Sequence, residues 1–366
     1  MLAGVLVSLK TLIVEDSAIY RTIIARSLRA VEGAEVIGKA SNGKQALFFL
    51  KHHDVDLITL DVQMPEMDGL ETLVELKRRG FEKPIVMLSG LSDQSRELTI
   101  KCLQLGALDF ILKPESSDSR ENQKELQLKL QKIVGDISIL SARREKRKKK
   151  PDWLERRVCS VKGHSLLPPP REPKPSLLKT PSLVMIGIST GGPKALNEVI
   201  SQLKGSLEFP VLIVQHMPPH FTKSLASNLN ERCALEVKEA EAGEEVCPGV
   251  IYIAPGGLHM ELNKTNKLSL ILHKKQPVNS CRPSVDTLFF SASGLFNPGE
   301  LVVLVMTGMG RDGAAGCSRL IQEGAFVGIQ SEESSTIFGM PRSVAEEGNY
   351  HEIFNLSEIA EFLNSL

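Results

Sequence analysis

Two successive runs of short apolar strands, each alternating with amphipathic segments, constrain this chain most, because that rhythm builds parallel sheets covered by helices. The first run places candidate strands at Thr11–Val14, Glu35–Gly38, Leu57–Leu60, Ile85–Leu88 and Phe110–Leu112. It closes on a helix whose Leu126, Leu130, Ile133, Ile137 and Leu140 line up as one apolar stripe. The second run begins at Leu183, with strands expected at Val184–Gly187, Val211–Val214, Val250–Ala254, Leu268–Leu272, Leu301–Met306 and Phe326–Ile329, some hairpin-like around 250–272. Helical stretches at Pro193–Leu203, Phe221–Asn230 and Gly313–Gln322 separate several of these. Between the runs, Arg143–Lys150 carries seven positive charges against one negative, and seven of the 20 prolines fall in 151–181. Proline at that density disfavours helix and sheet, so 141–181 reads as a stiff, extended linker between an α/β domain at 9–140 and another at 182–366.

Bulk properties narrow the function classes. The 44 basic and 44 acidic residues cancel, so no global field draws the chain to nucleic acid or a membrane. The longest strongly apolar run, Leu301–Met306, is far short of the ~20 residues a membrane helix needs, so no membrane insertion is expected. The apolar start Met1–Val7 has no basic residues before it and reads as a short extension. Cysteines at 102, 159, 233, 247, 281 and 317 form no CxxC pair, which argues against a zinc site or disulfide framework and fits a reducing cytoplasm.

In an open parallel sheet, functional groups collect at the carboxyl ends of strands. The first domain has Glu15 and Asp16 after strand one, Asp61 after strand three, Ser89 after strand four and Lys113-Pro114 after strand five. Three converging carboxylates offer hard oxygen ligands that suit Mg²⁺. This constellation, with Asp61-Val-Gln-Met-Pro-Glu-Met-Asp-Gly69, resembles the receiver domain of two-component response regulators, a flavodoxin-like fold on a five-stranded parallel sheet. The resemblance implies that Asp61 is the phospho-acceptor and that Glu15, Asp16, Asp61 and the Gln63 carbonyl hold Mg²⁺. It further implies that Ser89 and Lys113 sense the phosphoryl group, and it sets Phe110 at the family's aromatic switch position.

The second domain carries the output. Gly187-Ile-Ser-Thr-Gly191 follows a strand and precedes Pro193, the context in which a sharp strand-to-helix turn exposes a nucleophilic serine. The same residues fit a phosphate-binding or helix-capping turn equally well. His216 follows the next strand and is the candidate base; His220 stands four residues on, but Pro218-Pro219 between them argues against a helical metal pair. Asp312, after a further strand, is the candidate carboxylate to orient the imidazole, with a helix cap or solvated loop acid as the alternative. Gly308-Met-Gly-Arg-Asp-Gly313 also satisfies G-x-G-x-x-G, with Glu332 and Glu333 about twenty residues on. That nucleotide reading leaves too little chain to complete a dinucleotide-binding sheet, and it leaves Ser189 and His216 unexplained. A non-enzymatic output binding DNA is disfavoured by the lack of a helix-turn-helix pattern.

The order Ser189…His216…Asp312 resembles the catalytic domain of the chemotaxis protein-glutamate methylesterase family, CheB. The matching runs are Gly187–Pro193, Val214–Pro218, Ile253–Gly257, Arg282–Asp286 and Met306–Ala314. The resemblance implies a second doubly wound α/β domain and a cytoplasmic hydrolase acting on glutamate methyl esters of methyl-accepting chemoreceptors through a Ser189–His216–Asp312 triad. The Met309 N–H, helped by Thr190, would be the oxyanion donor. A chemotaxis histidine kinase would be the phosphodonor, and the same acyl chemistry permits deamidation of receptor glutamines. No cofactor is expected in the esterase site, and no role is assigned to Arg282–Asp286.

Overall fold

The structure, a computed structural model, describes residues 8–114, 119–148, 167–177 and 180–366. Met1–Val7, Lys149–Leu166 and the side chain of Leu140 lie outside the described residues. The chain divides into two compact units, Met1–His164 and Ser165–Leu366.

The first unit alternates strands and helices: β1 Leu9–Val14, α1 Ala18–Arg29, β2 Ala34–Ala40, α2 Gly43–Phe49, β3 Leu57–Asp61, α3 Gly69–Arg78, β4 Ile85–Ser89, α4 Asp93–Gln104, β5 Asp109–Leu112 and α5 Ser119–Lys148. Its sheet is parallel in the order β2-β1-β3-β4-β5, so all five expected strands are present. The central strands β3 and β4 are buried throughout, as strands covered on both faces must be. Leu126, Leu130, Ile133 and Ile137 of α5 are buried, which is the stripe read from the sequence. The helix continues to Lys148, eight residues into the stretch expected as linker, because no proline interrupts its Arg, Lys and Glu residues before Pro151.

The second unit comprises β6 Leu183–Ile188, α6 Gly192–Ile200, β7 Val211–Gln215, α7 Phe221–Asn230, β8 Glu236–Glu239, β9 Val250–Ile253, β10 His259–Lys264, β11 Leu268–His273, α8 Val285–Ser291, β12 Leu301–Val305, α9 Ala314–Gln322, β13 Phe326–Gln330, α10 Met340–Glu346, β14 Glu352–Phe354 and α11 Leu356–Ser365. Seven strands form a parallel sheet in the order β14-β13-β12-β6-β7-β9-β8, and β10 pairs with β11 as an antiparallel hairpin. From β6 the chain winds outward through β7 on one side, then returns to build β12 and β13 on the other. The strand order therefore reverses at β6/β12, and ligand crevices open at such reversals, outside the carboxyl strand ends.

Residues 167–177 run along this second unit without helix or strand. Tyr350 Oη donates to the Pro168 carbonyl at 2.9 Å, the Arg171 N–H to Gly348 O at 3.0 Å, and Lys174 pairs with Glu352. Beside this strap His351 stacks on Phe326, and its Nδ1 accepts the Val327 N–H at 3.0 Å, which requires that nitrogen to be unprotonated. Burial holds the His351 pKa below the ordinary imidazole range; the Pro173 backbone and Glu172 push it up, and Lys174 pushes it down. The folded state then binds fewer protons than the unfolded one. This contribution is complete above the unfolded value of about 6.5 and is lost as pH falls through the lower folded value. His351→Asn, which keeps an acceptor near the same place, should therefore lose less thermal stability than wild type on acidification from neutral pH. Parallel melting-temperature profiles would remove His351 from the acid response.

Candidate active site

β6, β7 and β12 end side by side, and each delivers one of the three side chains singled out in the sequence. The His216 N–H donates to Ile188 O at 3.2 Å and the Ser189 N–H to Thr307 O at 2.9 Å, so the three strand ends are tied through their backbones. Gln215 Nε2 holds the Ser189 carbonyl at 3.0 Å, and Gly192 N–H donates to it at 2.8 Å. The turn after Ser189 passes through Gly191 at φ 79°, a left-handed conformation that glycine adopts without strain. On the other side Gly308 presses against the serine: a Cβ there would lie 2.8 Å from Ser189 Cβ.

The imidazole of His216 is bonded at both nitrogens. Nε2 lies 2.8 Å from Asp312 Oδ2, and Nδ1 lies 3.6 Å from Cys281 Sγ. Asp312 is 2% exposed, so the solvated-loop alternative fails, and its two oxygens accept a full set of donors. Oδ1 takes Ser284 Oγ (2.8 Å), Asn279 Nδ2 (2.8 Å) and the Asp286 N–H (3.1 Å), while Oδ2 takes the Val285 N–H (2.7 Å) beside His216. The carboxylate thus sits on the N-terminus of α8, where backbone donors favour negative charge. Burial disfavours the His216 imidazolium, but the bonds with Asp312 and Cys281 outweigh it and raise its pKa to about 9. Against its own burial, Asp312 is lowered to about 2 by the same imidazole, with help from Asn279 and Val285. A buried carboxylate accepts the Nε2 proton, which leaves Nδ1 as the basic nitrogen.

Among the described residues, the Ser189 hydroxyl makes no hydrogen bond, to His216 or otherwise, and the Met309 N–H meets no protein acceptor. Thr190 offers its carbonyl to Thr307 Oγ1 at 3.0 Å, which ties the serine turn to the loop after β12. That loop also contains the G-x-G-x-x-G pattern, but its glycine packs on Ser189 and its acid on His216, so the pattern's residues are engaged at this site. His220 is exposed and lies outside the His216–Cys281–Asp312 group.

In the first unit, ligand oxygens of Glu15, Asp16 and Asp61 lie within 4.8 Å of one another. Lys113 Nζ bridges Asp61 Oδ2 at 2.7 Å and Glu15 Oε2 at 2.9 Å. Burial, reinforced by Asp61, raises Glu15 to about 7 against the pull of Lys113, and burial likewise raises Asp61. Gln63 bonds Asp61 through its backbone N–H, while its side chain accepts Ser95 Oγ at 2.7 Å. Ser89 is fully buried and its hydroxyl is engaged away from the carboxylates, donating to Gly90 O at 3.0 Å and accepting from Thr99 Oγ1 at 2.8 Å. Phe110 is half-buried on β5.

Residues 184–363 match the CheB methylesterase family and residues 11–122 the response regulator receiver domain. A protein-glutamate methylesterase/protein-glutamine glutaminase of Desulfotalea psychrophila is 41% identical over 97% of both chains. The chain belongs to the CheB methylesterase family. The Bacillus subtilis protein of the same name is 38% identical over 98% of both chains. Among solved structures, the CheB methylesterase catalytic domain of Thermotoga maritima is 41% identical, covering 50% of this chain and 97% of that one at a TM-score of 0.49. In this CheB chain Asn279, Cys281, Ser284 and Asp286 surround the His216–Asp312 pair, although the sequence alone assigned none of them a role. One signal was available: Arg282–Asp286 matched the family, and Ser284 before Asp286 reads as a helix cap.

Proposed function

We propose that this chain hydrolyses γ-glutamyl methyl esters on the cytoplasmic helices of chemoreceptors, under control of phosphorylation at Asp61. The observation that carries the reading is the His216 Nε2–Asp312 bond of 2.8 Å at the sheet's reversal point, one strand end from Ser189. His216 Nδ1 takes the Ser189 proton as Oγ attacks the ester carbonyl, and Asp312 stabilises the imidazolium so formed. The developing oxyanion is met by the Met309 N–H, with Thr190 beside it. The imidazolium returns its proton to the leaving methoxide, methanol departs, and water attacks the acyl-serine by the same route to release glutamate. A receptor glutamine follows the same path with ammonia as leaving group.

The receiver residues suit a hard divalent cation: three clustered carboxylates, with Glu15 and Asp61 buried and only Lys113 to balance their charge. Glu15, Asp16, Asp61 and the Gln63 carbonyl would hold Mg²⁺, which when bound neutralises charge on the incoming phosphoryl group. Asp61 Oδ attacks phosphorus as the bond from phosphorus to the donor (the histidine nitrogen of a kinase, or the acetate oxygen of acetyl phosphate) breaks and the donor leaves. Lys113 then pairs with the phosphoryl oxygens, and Ser89 turns from Gly90 to donate to them. Phosphorylation shifts an equilibrium that governs access to Ser189. The test is methanol release from methylated receptor membranes with and without acetyl phosphate and Mg²⁺. Wild type should be stimulated within the range of about 5- to 150-fold expected for allosteric coupling. Asp61→Asn should keep its unstimulated rate and lose the stimulation; full stimulation of that variant would refute gating at Asp61.

A further inference from the structure

Cys281 faces the nitrogen that the reaction needs. Its Sγ lies 3.6 Å from His216 Nδ1, while Asp312 holds the opposite ring nitrogen. Two ligands of one tetrahedral zinc, at about 2.0 Å for nitrogen and 2.3 Å for sulfur, are themselves about 3.5 Å apart, within a tenth of an ångström or so of this pair. The observed pair therefore has the separation of two zinc ligands before any zinc is bound. A metal-ligating histidine also needs its other N–H fixed by a carboxylate, and Asp312 supplies this. The backbone that carries the thiol is fixed. The Cys281 N–H donates to Val278 O at 2.8 Å and the Val278 N–H returns to Cys281 O at 3.1 Å, closing a turn through Asn279 and Ser280. Both turn residues have positive φ, at 52° and 62°, and Asn279 Nδ2 is anchored between Asp286 and Asp312 at 2.8 Å from each.

We propose that Cys281 and His216 form a zinc-binding site within the active centre, with Asp312 as its orienting carboxylate, whose occupation shuts off hydrolysis. Zinc bonds to the Nδ1 lone pair and to the sulfur, and the protons that Nδ1 and the thiol carried leave to solvent. The remaining coordination positions take water. Asp312 stays out of the coordination sphere, because both its oxygens are already engaged by the donors described above. With the Nδ1 lone pair bound to metal, Ser189 has no base. The nitrogen–sulfur pair selects zinc over Mg²⁺, which prefers oxygen and is kept at the receiver carboxylates. The binding site stands on the geometry alone; only its inhibitory consequence rests on the proposed esterase mechanism.

The experiment titrates Zn²⁺ against methanol release by the full chain at saturating Mg²⁺, with each variant scaled to its own zinc-free rate. Losing an outer partner of a metal ligand already costs about 10- to 100-fold in affinity, so removing a ligand should cost at least that. The Zn²⁺ midpoint of Cys281→Ser should rise by at least ~10-fold over wild type. Equal midpoints in the two proteins would overturn the inhibitory site. Binding is read separately by Co²⁺, through the near-ultraviolet charge-transfer band of a cobalt thiolate. The band should appear in wild type and in Cys247→Ser, and vanish in Cys281→Ser. A band that survives Cys281→Ser, or none in wild type, would overturn the binding site even if the protein proved to have no esterase activity.

Discussion

Ser189→Ala is expected to lower methylesterase kcat by about 10⁴- to 10⁶-fold, the cost of deleting the nucleophile of a serine triad. The size of the effect comes from the geometry of the turn. Ser189 leaves β6 at the reversal of strand order, with its backbone held by Thr307, Gln215 and Gly192. Its neighbour Thr190 cannot take its place, because the Thr190 carbonyl is bonded to Thr307 and moving that backbone would undo the link to the β12 loop. The fold should tolerate the change. Alanine keeps the Cβ against which Gly308 packs, and the lost hydroxyl makes no hydrogen bond among the described residues. Thermal stability should shift by no more than about 0.5 kcal/mol, and labelling of Asp61 by acetyl phosphate should be unchanged. Together these outcomes separate loss of chemistry from loss of structure. Methanol release at an undiminished rate would remove Ser189 from the mechanism.

The strands that carry the two sites were legible because they are buried on both faces and read as continuous apolar runs, as in Leu183–Ile188 and Leu301–Val305. β8, β10 and β14 escaped for the opposite reason. β8 and β14 are short edge strands rich in glutamate, with one buried residue each, and β10 lies in a hairpin outside the main sheet. The triad candidates were visible as motifs at strand ends. Their surroundings were not. Asn279, Cys281 and Ser284 reach His216 and Asp312 from a segment 28 to 33 residues away from Asp312 in sequence, and no local pattern encodes that approach. The hydrogen bonding of the Ser89 hydroxyl was hidden as well, since it involves Thr99, nearly two turns into α4.

Asp312→Asn should cost about 10⁴-fold in kcat, the penalty seen when a triad carboxylate becomes an amide. An amide has one acceptor oxygen and one NH₂, whereas Asp312 accepts five hydrogen bonds and donates none. If the NH₂ group takes the Oδ2 position, it opposes the Val285 N–H and donates to His216 Nε2. The imidazole must then carry its proton on Nδ1, the nitrogen that should receive the Ser189 proton, so the base is disabled without leaving the site. If the NH₂ group takes the Oδ1 position, it opposes both Asn279 Nδ2 and the Asp286 N–H, with only Ser284 Oγ able to accept. Either arrangement leaves a buried donor unpaired, which costs about 1–3 kcal/mol. The variant should therefore melt lower than wild type while retaining phosphorylation at Asp61. Because the bond to Asp312 is the largest single cause that raises the His216 pKa, with Cys281 adding to it, ring titration followed by NMR should show that pKa falling from its raised position in the variant. A variant with wild-type kcat, or with an imidazole that titrates as before, would mean that the buried carboxylate only caps α8 and takes no part in the chemistry.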